Sequence, residues 1–304
     1  MNQITNPPTP LIPFGWLRAM LFIAFFFLLM KGVQTGAGEL LSLLEKTSTG
    51  KDEAPNAILQ SSIWINEGIT GMSVLIGVWV FRVFIDKKTV GSLGFAWHGF
   101  AGHAWTGFWS ALAMVGAGTL VLMAFKYLSF TDAGFDIVSL ISNLGLMLLV
   151  AFAEELLFRG YLLNNMMQSM DKWLALVISA LLFVSVHLGN PNAQDSIIPM
   201  IEIFVGGIML GVNYIYTKNL WFGIFLHFGW NFFMGPVLGY EVSGLNLKPI
   251  LTQSLSGPNL WTGGSFGFEG SILSLILNML LTASLVFFYE RSPLKTSKML
   301  YLKN

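Results

Sequence analysis

The sequence predicts an all-α fold, a polytopic membrane bundle of about eight transmembrane helices with both termini cytoplasmic. Two observations carry this. The chain is 54% hydrophobic and only 11% charged, with a mean hydropathy of +0.67, whereas a soluble domain carries roughly 25% charged residues. The apolar residues also fall into runs long enough, at about 20 residues each, to cross a hydrocarbon core.

Taken in order, the predicted spans are 16–33, 63–85, 100–125, 137–158, 173–187, 197–216, 220–238 and 271–289. The fifth is the shortest and reaches full length only by continuing past His187. With an even number of spans the basic residues divide unequally. Arg18, Arg82, Lys87, Lys88, Arg159, Lys172, Lys218, Arg291, Lys295, Lys298 and Lys303 fall on one side, and Lys46, Lys51, Lys126 and Lys248 on the other. Lys31 lies near the outer end of the first span. The positive-inside rule then places both termini in the cytoplasm. The long connections 34–62 and 239–270 fall outside and read as Gly-, Pro- and polar-rich loops. The start of the chain, rich in proline and polar residues, does not read as a cleavable signal. No internal repeat and no soluble second domain is evident, so residues 1–304 form one membrane domain.

Sixteen basic residues balance sixteen acidic ones, which argues against nucleic acid as a partner. The absence of cysteine excludes disulfides, thiolate zinc sites and a cysteine nucleophile, and leaves the redox compartment open.

Charged groups inside a membrane are costly and mark functional sites by default. The fourth span ends with Glu154 and Glu155, followed by Arg159. Glu155 and Arg159 are i, i+4, the spacing and order of an ion pair, while Glu154 points about 100° away. Arg159 is therefore expected to neutralise Glu155 and fix the helix end, leaving Glu154 for chemistry. The plainer reading is a helix-terminal salt bridge. The polar hairpin tip between spans four and five lies at Met170–Asp171, sixteen residues from both Glu154 and His187. At 1.5 Å per residue both lie about 24 Å from the tip on antiparallel helices. A Glu and a His at matched height can activate a shared water. An isolated histidine in an apolar span is more often a hydrogen-bonded core residue, and the height match is what favours chemistry.

In the seventh span His227 and Asn231 are again i, i+4 and can face one point. They could donate to an oxyanion, His227 could bind a metal, or the two could tie helices together. Glu67 and Glu202 are expected near helix ends or facing the bundle, with Glu202 able to pair or line a cavity; His98 and His103 are expected at the interface.

Glu154-Glu155-Leu-Leu-Phe-Arg159, Phe183-Val-Ser-Val-His187 and His227-Phe-Gly-Trp-Asn231 stand in order, each in its own span. Between them lie Gly206-Gly207, Leu210-Gly211, Tyr214 and the run from Thr217 to Trp221. Together these resemble the CAAX protease and bacteriocin-processing family of intramembrane endopeptidases, with the catalytic core at 140–235. The resemblance implies an eight-helix fold with a water-filled cavity open to the cytoplasm and the membrane. It implies that Glu154 and His187 activate the attacking water and that His227 and Asn231 bind the oxyanion. It favours a metal-free mechanism. Zinc is the alternative cofactor, with Glu154, His187 and His227 as its ligands, although no His-Glu-x-x-His signature is present. The implied partners are membrane lipid and a peptide or lipidated protein, in the bacterial plasma membrane. A catalytically silent immunity or scaffold protein of the same fold, and a proton-coupled transporter, are the competing readings; the lack of repeats weighs against the latter.

Overall fold

A computed structural model describes residues 9–48 and 63–291. The helices follow the hydropathy: α1 Gly15–Ser48, α2 Ile63–Val80, α3 Ala101–Ala124, α4 Ile137–Glu155, α5 Lys172–His187, α6 Ile198–Thr217, α7 Trp221–Phe232 and α8 Ile272–Arg291. Among the described residues six helical stretches are long and apolar enough to cross a membrane. The two shorter ones, α5 and α7, lie against neighbours within the bundle, α5 beside α6 and α7 beside α3 and α4. Many apolar side chains on the outer helices, such as Leu28, Trp109, Leu120, Ile141 and Leu280, face outward, as expected where the surroundings are lipid rather than water.

Several boundaries differ from the expectation. The connection 34–62 begins as helix, because α1 runs on to Ser48 through the strong helix formers of Ala-Gly-Glu-Leu-Leu-Ser-Leu-Leu-Glu-Lys. Lys51, Lys295, Lys298 and Lys303, on which the orientation partly rests, lie outside the described residues, as does the side chain of Lys46. The loop 239–270 contains a strand, β2 Leu251–Leu255, which pairs antiparallel with β1 Leu128–Ala133. β1 packs against α3, which precedes it.

Arg159 does not end a helix. The chain continues as a π-helical stretch, Leu156–Leu163, and then to Met166, a span of 30 residues. Arg159 is 1% exposed and belongs to the core rather than to the cytoplasmic charges. With its charge met inside the bundle, nothing at that residue forces the helix out into water. The turn at 170–171 is where the sequence places it, and Asp171 caps α5 by accepting from the amides of Trp173 and Leu174.

Arg18 and Arg82 are likewise not simple loop charges. Both are buried on Asp86, at 2.7 and 2.8 Å, and Asn165 donates to the same carboxylate at 3.4 Å. This hub joins α1, the end of α2 and the end of the α4 stretch.

Candidate active site

Glu154 and Glu155 close α4, and the π-helical turn that follows is a local irregularity of the kind found at functional sites. The two neighbours occupy opposite environments. The Glu155 side chain is 1% exposed and accepts from Arg159 Nη1 at 2.7 Å. Arg159 Nη2 donates to the Gly207 carbonyl at 2.9 Å, and its guanidinium lies 4.7 Å from the centre of the Phe183 ring. The ion pair is therefore the one that the i, i+4 spacing indicates.

Glu155 does more than that pairing. His227 Nδ1 lies 3.2 Å from Glu155 Oε1. A carboxylate only accepts, so Nδ1 carries the proton and His227 Nε2 is turned the other way. Nε2 stands 3.7 Å from Glu154 Oε2. The imidazole thus bridges the two glutamates. Sequence spacing could not show this, because 72 residues separate Glu155 from His227. Such close approach requires the glycine at 223: a Cβ there would lie 2.7 Å from Glu155 Oε2.

Glu154 is the accessible member. Its side chain is 21% exposed, and Oε2 has no hydrogen-bond partner among the described residues. It lines a cavity of about 390 Å³ together with His187, His227 and Asn231. All four candidate catalytic residues therefore share one chamber. The direct neighbour of Glu154 is His227, whereas His187 faces it as another wall of that chamber. His187 closes α5 and donates from Nδ1 to the Phe183 carbonyl at 2.8 Å. The neutral ring then has a bare Nε2, the atom a base needs. The Phe183 ring lies 4.4 Å from His187 and 6.3 Å from His227, centroid to centroid. That contact accounts for the phenylalanine four residues before His187.

A second, smaller cavity of about 40 Å³ adjoins the first at His187, His227, Asn231 and Ser243. Its walls include Glu202, which accepts from Ser274 and Asn278, both at 2.6 Å. They also include Glu269, which accepts from the Trp230 indole at 2.9 Å and from Ser243. Glu202, expected to pair or to line a cavity, is hydrogen-bonded and lines one. Glu269 gave no signal beyond its place in a Gly-rich loop. Glu67 lines the large cavity, His98 is exposed and His103 half-buried.

Burial lifts the carboxyl of Glu241, in the loop after α7, above the ordinary range. Asp136, which caps α4, is held well below it by Lys248 and by the Ser139 hydroxyl and amide.

The two histidines each keep Nε2 free, which a metal would need. Yet among the described residues no three His, Asp or Glu side chains stand close enough to hold one ion together. Glu154, His187 and His227 line one chamber without standing close enough together to form a His₂Glu set.

Residues 136–233 match the family described as type II CAAX prenyl endopeptidase Rce1-like. The match runs from the cap of α4 to the residue after α7 and bears out the family read from the sequence. Together with the six membrane-length helices among the described residues, the match supports an integral membrane protein with a CAAX-type protease kind of function. No curated protein and no solved structure matches the chain.

Proposed function

We propose that this chain, whose residues 136–233 match the type II CAAX prenyl endopeptidase Rce1-like family, is an intramembrane endopeptidase. Its substrate is a membrane-associated or lipidated peptide or protein, and its setting is a bacterial plasma membrane. One observation carries the reading: a carboxylate oxygen of Glu154 without a hydrogen-bond partner among the described residues, on a cavity shared with His187, His227 and Asn231. A carboxylate left in this state inside an apolar bundle is costly unless it has work to do.

The Glu154 carboxylate takes a proton from water as the water oxygen bonds to the scissile carbonyl carbon. His187 Nε2 accepts the other water hydrogen and orients the nucleophile. The carbonyl π electrons move to oxygen, and His227 Nε2–H and the Asn231 amide donate to that oxyanion. With Nδ1–H committed to Glu155, His227 donates from Nε2 only as the imidazolium, and Glu155 and Glu154 at 3.2 and 3.7 Å supply the compensating charge. On collapse the carbon–nitrogen bond breaks, and the proton held by Glu154 passes to the departing amine. The core at 140–235 carries this chemistry, within a single membrane domain.

The test is cleavage of a fluorogenic lipidated-peptide library by the full chain in nanodiscs, with wild type, Glu154→Ala and a strong chelator run side by side. Cleavage that requires Glu154 and survives chelation supports the mechanism. Cleavage lost to the chelator and restored by zinc replaces it with a metal mechanism on Glu154, His187 and His227. Equal turnover by Glu154→Ala removes the assignment of the base.

A further inference from the structure

The large cavity contains a second carboxylate that the mechanism does not use. Glu67, near the start of α2, lines it as well and makes no hydrogen bond or ion pair among the described residues. Among the described residues the other walls are apolar or neutral apart from Glu154 and the two histidines, and no lysine or arginine borders the chamber. Arg159, the nearest fixed cation in sequence, is buried behind Glu155 and bonded to it. Among the described residues the chamber is thus a largely apolar space bordered by two carboxyl groups and no lysine or arginine.

Helix packing sets how far Glu67 is from the reacting bond. α2 and α4 pack side by side. A Cβ on Gly145 would touch the Trp64 ring at 3.4 Å, and one on Gly71 would lie 3.9 Å from that of Ala153. The helices therefore run in the same direction, and Glu67 is level with residues near Met147. From there to Glu154 is seven residues, about 10 Å along the axis at 1.5 Å per residue. An extended peptide advances about 3.3 Å per residue, so Glu67 stands about three residues from a scissile carbonyl held at Glu154.

We propose that Glu67 is a specificity-determining residue that binds a cationic side chain of the substrate about three residues from the cleaved bond. A lysine or arginine would lay its aliphatic stem along Phe26, Met30 and Met147 and place its charge on the carboxylate. A charge-assisted bond in a dry chamber is stronger than one in water, and it would leave neither group unpaired. This inference rests on the proteolytic reading for the word substrate, and binding tests it without hydrolysis.

The probe is a series of myristoylated decapeptides with N-methylated backbone amides, which resist cleavage. Each carries one lysine, norleucine or glutamate at a scanned position, and its binding to the full chain in nanodiscs is read by fluorescence anisotropy. At one or two adjacent positions lysine is expected to bind about tenfold tighter than norleucine. Glu67→Gln should abolish that ratio, and Glu67→Lys should turn the preference to glutamate. An unchanged ratio in Glu67→Gln, or no reversal in Glu67→Lys, overturns the assignment. Cleavage of the unmethylated peptides is scored separately. A charge preference without any cleavage leaves this assignment standing and removes the hydrolytic one. Cleavage without a charge preference does the reverse.

Discussion

Adjacent glutamates with opposite surroundings should fail in opposite ways. Glu155→Gln removes the charge that meets Arg159 at 2.7 Å and the acceptor of His227 at 3.2 Å. Taking one partner from a buried ion pair costs about 3–5 kcal/mol. The glutamine oxygen still accepts one of the two donors, worth about 1 kcal/mol, so a loss of about 2–4 kcal/mol is expected. That is a large share of the roughly 5–15 kcal/mol by which a folded chain is stable. The protein that remains folded should turn over about tenfold more slowly, because the His227 ring has lost one fixed hydrogen bond. Glu154→Gln removes an oxygen that has no hydrogen-bond partner among the described residues. Its stability should change by no more than about 1 kcal/mol, while turnover falls at least about 100-fold with the general base. The assay is a thermal or denaturant melt of each variant in nanodiscs beside lipopeptide turnover normalised to folded protein. A stable Glu155→Gln beside an unstable Glu154→Gln would refute the division of labour.

Two further outcomes follow from particular contacts. Gly223→Ala puts a methyl group 2.7 Å from Glu155 Oε2 and should cost about 1–3 kcal/mol through overpacking; a melt unchanged from wild type would show that the α4–α7 contact is loose. Asp136 is held below its ordinary value by Lys248, so its contribution to folding is present above the unfolded value of about 3.9 and is lost as pH falls below that toward the folded value. Thermal midpoints of wild type and Asp136→Asn should therefore differ at pH 7 and converge as the pH drops below about 4, and a gap that widens in acid would contradict the Lys248 pairing.

The parts of the site legible in the sequence are those set by helical spacing alone. Glu155 with Arg159, Phe183 with His187 and His227 with Asn231 are each one turn apart, and each pair lies where the 3.6-residue period puts it. Contacts between helices depend on rotation about each axis, which small residues at the crossings fix. Gly207 stands against Ala180, Gly211 against Leu176 and Gly223 against Glu155. The motif glycines were visible, but not the phase they impose, so the bridge from Glu155 to His227 was not. The hub on Asp86 was missed for a similar reason: Arg18, Arg82 and Asn165 reach it from distant parts of the chain. Strand β2 was hidden because five residues in a Gly- and Pro-rich loop carry too short an alternation to stand out.

The division between matched and unmatched sequence has a physical counterpart. The residues proposed to move protons and hold the oxyanion all lie within 136–233, on helices tied to each other by glycine contacts, by the Arg159 bond to the Gly207 carbonyl and by the His227–Glu155 bond. The remaining walls of the large chamber are shared between that stretch and the rest of the chain, which supplies Phe26, Phe27 and Met30 from α1, Ile63, Glu67 and Thr70 from α2, and Val242, Ser243 and Leu245 from the loop after α7. A hydrolytic constellation tolerates little displacement, since a shift of about 1 Å can cost about 100-fold in rate. A chamber wall can change its side chains without moving the reacting atoms. On the proposed mechanism the chemistry is confined to the central helices, while α1, α2 and the loop held over α7 by Glu269 are the parts free to vary with the substrate.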